Sequence, residues 1–217
     1  MKKEYFLLLT GTLETKTMKN IPYILIAFRL VLGPVMIAIT YSYGTAARMF
    51  LALLILLGIL SDIFDGIIAR KQGVSTERLR RMDSQIDVVF WLCTGWCAWL
   101  LNPEIITNNR YAIATIFIME ALTYIFSFLK FGKETCTHAL LSKLWGITLF
   151  AAFISIIGFG YGGIPLALAV IFGILSHIDV YLIILLLPRW MHDVPSCYHA
   201  WLIRQGKDIK RNKLFNG

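Results

Sequence analysis

Long unbroken runs of apolar residues alternate with short polar breaks along this chain. Six runs stand out, at 22–41, 48–69, 84–101, 111–129, 142–160 and 164–187. Within them the apolar residues are consecutive, as in 49–60 and 180–187. A membrane-barrel strand alternates lipid-facing and lumen-facing positions, so continuous runs predict helices instead. About 20 apolar residues in a helix cross the roughly 30 Å hydrocarbon core of a bilayer. The pattern therefore predicts an all-α integral membrane protein with six transmembrane helices.

Composition supports this reading. Of 217 residues, 58% are hydrophobic and only 16% charged. Soluble domains are about 45–50% apolar and about 25% charged. A soluble fold of this size has too little interior to hide the excess. The net charge of +8 then becomes a topology signal. Eighteen of the 21 Lys and Arg residues fall at the N-terminus, after the second and fourth runs, or in the tail. The opposite side holds Arg48 and Arg110, and Arg29 lies inside the first run. Basic residues stay on the cytoplasmic side, so both termini are expected there. The chain divides into a cytoplasmic or interfacial N-terminal segment (1–21), a six-helix membrane domain (22–188) and a basic cytoplasmic tail (189–217). Cys93 and Cys97, one helical turn apart in the third run, read as small apolar filler rather than a metal site, and Cys136 and Cys197 fall in a loop and the tail.

Four acids sit where charge is costly. Asp62 and Asp65 close the second run, and Asp83 and Asp87 open the third. A carboxylate within a bilayer costs roughly 2.5 kcal/mol or more, which marks such residues as functional candidates. Asp62 and Asp65 are three apart and Asp83 and Asp87 four apart, so each pair shares one helix face. Antiparallel packing of the two helices brings the four carboxylates together at the cytoplasmic boundary. Like charges so close need a counter-charge. Hard oxygen ligands select Mg²⁺, Mn²⁺ or Ca²⁺, and two ions bridged by shared carboxylates suit phosphoryl chemistry. The competing reading is a structural network of these acids with Arg70, Arg78, Arg80 and Arg81.

The stretch Asp62-Ile-Phe-Asp65-Gly66-Ile-Ile-Ala69-Arg70, followed by Leu79, Asp83 and Asp87, resembles the D-x2-D-G-x2-A-R-x8-9-G-x3-D-x3-D signature of the CDP-alcohol phosphatidyltransferases. Seven of its eight fixed positions match, and Leu79 replaces the second glycine. The run from Ile21 to Arg29 is similar to the family's I-P-N-x-L-T-x-x-R start, with Pro22, Leu25 and Arg29 in place and Tyr23 and Ile26 departing. The resemblance implies transfer of a phosphatidyl group from CDP-diacylglycerol to a small polar alcohol, with release of CMP, in the membrane domain. It implies Mg²⁺ or Mn²⁺, two ions, held by Asp62, Asp65, Asp83 and Asp87. Asp87 would also be the catalytic base for the acceptor hydroxyl. Gly66, Ala69, Arg70, Leu79 and Arg29 would border the nucleotide and its phosphates. A leucine at 79 is expected to alter nucleotide geometry more than metal binding. A homodimer in the membrane, with the site facing the cytoplasm, is also implied; nucleic acid is not among the expected partners.

The acceptor is less legible. Asp83-Ser84 is like amino-alcohol-using members, whereas a phosphorylated acceptor needs cations, for which Lys143, Lys130, Lys133 and His138 are the candidates. Glu120, His177 and Asp179 are further ionisable residues within apolar runs, without an assigned role. Two alternatives stand beside phosphatidyl transfer. One is a CDP-amino-alcohol:diacylglycerol phosphotransferase, with the same metal chemistry. The other is a transporter or cation-binding membrane protein. Acids clustered at one boundary between two consecutive runs are ill placed for a path across the bilayer.

Overall fold

The structure, a computed structural model, describes residues 20–135 and 139–207. The N-terminal segment expected in the interface lies almost wholly outside the described residues, as do Cys136 and His138. Eight α-helices make up the described chain, with no strand among the described residues: α1 (Ile21–Tyr43), α2 (Arg48–Lys71), α3 (Glu77–Leu101), α4 (Pro103–Asn108), α5 (Arg110–Phe131), α6 (Leu140–Phe153), α7 (Gly163–Leu186) and α8 (Cys197–Arg204). Among the described residues, five stretches are long and apolar enough to cross a membrane. The first, Ile21–Lys71, holds two helices, because a 3₁₀ turn at Gly44–Ala47 separates α1 from α2. The chain is a multi-pass integral membrane protein.

The helix limits follow local chemistry. Pro22 stands in the first turn of α1, where a missing N–H is harmless, and Gly44 ends the helix with φ 52°. Helix α3 starts seven residues before the apolar run at 84. The Thr76 hydroxyl accepts from Leu79 N at 3.3 Å and caps a polar first turn that hydropathy alone does not register. Helix α6 continues through a π turn at Ile154–Gly158. Outward faces are apolar: Ile147 is 60% exposed, Leu129 81% and Ile164 68%. Such faces are suited to lipid, not water.

The tertiary arrangement differs from the simplest expectation. Helix α1 packs extensively along both α2 and α3, and those two make little backbone approach to one another. They meet through side chains. The Phe90 ring of α3 fills the space beside Gly58 of α2, where a Cβ would come within 2.3 Å of it. Leu32 and Met36 of α1, Leu51 and Ile55 of α2, and Phe90 and Cys97 of α3 are buried together in the core. A second group of helices, α5, α6 and α7, packs around α7. At the end away from the acids, Arg48 donates to Asn102 Oδ1 at 2.8 Å, and Asn102 Nδ2 donates to Ile156 O at 2.8 Å. After α7 the chain forms a strap, 187–196, and α8. Leu187, Val194 and Ala200 there are buried with Ala139 and Ile183.

Candidate functional site

The short connection between α2 and α3 turns the chain back at once. Val74 N donates to Ala69 O at 3.0 Å, and Gly73 takes φ 65°, so the last turn of α2 closes on itself. The four acids thereby reach the same end of the bundle. Oxygens of Asp62, Asp83 and Asp87 lie within 4.8 Å of one another. Asp65 and Asp83 are buried, whereas the Asp62 and Asp87 side chains are 38% and 29% exposed. The cluster is open on the Asp62–Asp87 side.

Arg29 joins all four. It reaches across from α1 with its side chain 1% exposed. Its Nη1 is 2.7 Å from Asp62 Oδ1, its Nη2 is 3.4 Å from Asp65 Oδ2, and its Nε is 3.0 Å from Asp87 Oδ1. Nη2 also donates to Asp83 Oδ1. The planar guanidinium, with five donors, is the side chain best shaped for this. The sequence places Arg29 near phosphate; the structure places it among the acids. One guanidinium still leaves three formal negative charges on the four carboxylates it contacts. An all-oxygen donor set with that excess charge, open on one side, fits hard divalent cations.

Of the arginines in the structural-network alternative, Arg70 and Arg80 lie within electrostatic range of the acids, but the direct partners of Arg80 and Arg81 are other groups. Arg81 pairs with Glu134, with Nε 2.6 Å from Oε1 and Nη2 2.9 Å from Oε2. Arg80, 6% exposed, donates to Ser75 Oγ at 2.9 Å and lies 3.6 Å from Asp193. Glu134, outside the helices, also accepts from Gln85 Nε2 at 2.9 Å. The Arg81 hydrogen bonds hold its carboxyl below the usual glutamate range.

The remaining candidates separate by surroundings. A Cβ on Gly66 would meet only the Arg70 guanidinium, at 3.5 Å, so no neighbouring helix packs on that face. Ala69 and Leu79 are both 3% exposed and pack with Ile26 in a small apolar cluster. Leu79 therefore fills the α1–α3 contact. Lys130 donates to Ile184 O at 2.7 Å and Leu185 O at 2.8 Å, closing the C-terminal end of α7. Lys133 pairs with Glu77 at 2.9 Å and lies over the Trp190 ring at 5.0 Å. Lys143, half-buried on α6, lies in the electrostatic range of Arg70, Arg80 and Asp193, beside the site. Glu120 and His177 pair at 2.8 Å between α5 and α7. Asp179 accepts from Cys197 N at 2.9 Å and so fastens the start of α8. Sequence reasoning named Arg80 only as a structural partner of the acids and missed Asp193. Arg80 had a signal, one helical turn before Asp83. Asp193 had none, because it lies in the polar tail and reaches the site only through folding.

This combination of a helical membrane bundle and an aspartate cluster at the α2–α3 turn defines a class. The family model for CDP-alcohol phosphatidyltransferase matches residues 19–191, and the chain belongs to that family. Among named proteins it is similar to a CDP-diacylglycerol--glycerol-3-phosphate 3-phosphatidyltransferase of Rickettsia typhi (strain ATCC VR-144 / Wilmington), with 37% identity over 76 residues. That match spans 35% of this chain and 43% of the relative, less than half of either. No solved structure matches the chain.

Proposed function

We propose that this protein transfers the phosphatidyl group of CDP-diacylglycerol to glycerol-3-phosphate, releasing CMP, as a step of phospholipid synthesis. The observation that carries the reading is the convergence of Asp62, Asp65, Asp83 and Asp87 around Arg29 at one end of the membrane bundle. The acceptor is taken from the relative's name and is supported by the cations Arg70, Arg80 and Lys143 beside the acids. An amino-alcohol headgroup is itself cationic near neutral pH and is repelled by such cations, which disfavours the CDP-amino-alcohol alternative.

Asp62, Asp65, Asp83 and Asp87 would hold two divalent ions, Mg²⁺ or Mn²⁺. When bound, such ions offset the diphosphate charge and stabilise both the attacking and the leaving oxygen. The chain's own residues do the rest. Gly66 leaves the α2 face clear for the cytidine, and Arg70 flanks the diphosphate. Asp87, partly exposed at the open side, takes the proton of the acceptor hydroxyl. That oxygen attacks the phosphorus that bears the diacylglycerol. The phosphorus–oxygen bond to CMP breaks, and CMP leaves with the electron pair. Arg29 keeps the carboxylates in register before any ligand arrives.

We also infer that Ile21–Lys71 crosses the bilayer twice, giving six spans. The membrane domain, 22–188, carries the site, and both termini and the tail, 189–217, lie on the cytoplasmic side. The basic-residue asymmetry supports this orientation. The test is CMP release by the purified protein with labelled CDP-diacylglycerol, Mg²⁺ or Mn²⁺, and a panel of alcohols. Release that requires glycerol-3-phosphate, and falls by about 10²–10⁴-fold in Asp87→Asn, is the expected result. No release with any acceptor, beside an active control enzyme, overturns the reading.

A further inference from the structure

The strap after α7 delivers one carboxylate to the cation group. Asp193 Oδ2 is 3.6 Å from Arg80 Nε and 2.8 Å from His192 Nδ1. Its side chain is 8% exposed. Arg70 and Lys143 lie within electrostatic range of it as well. So one cation, Arg80 of α3, contacts an acid from the tail, and two more, from α2 and α6, lie within its field.

The placement is held from both sides. Before Asp193, Trp190 Nε1 donates to Glu134 O at 2.8 Å. After it, Val194 is fully buried, Pro195 O accepts from Leu140 N at 2.9 Å, and Asp179 fastens Cys197. Between these anchors Asp193 takes φ 56°, the one positive φ among the described non-glycine residues. That conformation is disfavoured for a residue with a Cβ, and it persists where surrounding contacts over-determine it. The contacts here aim a carboxylate into the cation group.

We propose that Asp193 occupies, with its own carboxylate, the position of the acceptor's phosphate, and is displaced when a phosphorylated acceptor binds. This rests on the glycerol-3-phosphate reading above. The physical reason is charge. A phosphate monoester carries about −1.5 to −2 near neutral pH, against −1 for a carboxylate. It therefore outcompetes Asp193 for three cations, whereas an uncharged alcohol does not. Asp193 thus acts as a specificity residue. It keeps the cations compensated in the empty site and raises the threshold for acceptors without a phosphate.

The test uses the full chain in nanodiscs and the variant Asp193→Asn, since Asn keeps the size and tolerates the left-handed conformation. The KM for glycerol-3-phosphate is expected to fall about tenfold, with a smaller effect on kcat, as one charged competitor is removed. Inorganic phosphate should inhibit competitively against the acceptor, with its inhibition constant falling by a similar factor. Asp193→Gly, which frees the backbone and also removes the carboxylate, should do the same if the Asn variant folds poorly. A KM and a phosphate inhibition constant that stay level or rise overturn the proposal and make Asp193 a structural partner of Arg80. If neither form releases CMP with glycerol-3-phosphate, the functional reading fails. Calorimetric binding of inorganic phosphate then decides the present proposal: tighter binding by the variant supports it, and equal binding overturns it.

Discussion

Arg29 is the residue on which the site turns. Its side chain is almost wholly buried and contacts all four acids. Removing one partner of a buried charge network is costly, about 3–5 kcal/mol, because the other partners are left uncompensated. Arg29→Gln should therefore lower the melting temperature in detergent, and Mg²⁺ should restore more of it in the variant than in the wild type. Equal melting with and without Mg²⁺ would show that Arg29 does not share the counter-ion role. At this scale the sequence was informative about the acids, whose spacing of three and four put each pair on one face. It was less informative about Arg29, since nothing local says which polar group an arginine inside an apolar run will meet.

At the scale of elements, the core of the half that carries the acids depends on one close approach. Gly58 has no room for a side chain, because Phe90, 1% exposed, lies against it. Phe90 cannot swing away without leaving the core that it shares with Leu51 and Ile55. Gly58→Ala should cost about 1–3 kcal/mol by overpacking. Thermal unfolding will measure it, and Phe90→Leu combined with Gly58→Ala should recover part of the loss. No recovery would place the strain elsewhere. The helices themselves were legible: each apolar run lies in a helix or its direct continuation, with α3 starting early because the Thr76 cap and a polar first turn leave no hydropathy signal.

At the scale of the whole molecule, loop 132–135 ties the two helix groups together. Glu134 accepts from Arg81 and Gln85 of α3, and its backbone carbonyl accepts from Trp190 of the strap. Its carboxyl is held below the ordinary value of 4.5, first by the Arg81 hydrogen bond. A depressed carboxyl contributes stability that is present above the unfolded value and lost as pH falls through the folded one. Glu134→Gln should thus melt lower than wild type at neutral pH, and the gap should narrow below 4.5. A gap that is constant down to strong acid would assign the loss to packing instead. The proposed orientation makes its own prediction. An alkaline phosphatase fused after Gly217 should be inactive in a bacterial inner membrane, and a green fluorescent protein there should fluoresce; the reverse pattern would invert the topology.

Apolar runs and their polar breaks determined, by themselves, that this chain is helical and embedded in a membrane. The spacing from Asp62 to Asp87 was enough to point to the family. These are local properties, because helix periodicity and hydrocarbon thickness act on neighbouring residues. Only the tertiary structure decided that α1 packs along both acid-bearing helices and supplies the guanidinium between the acids. It alone decided that Leu79 is buried against Ile26 and Ala69, that Lys130 and Lys133 are engaged in helix-end and loop contacts, and that Asp193 meets Arg80. Each of these depends on residues far apart in the chain, and which of them meet is settled by how whole helix faces pack, not by any one segment.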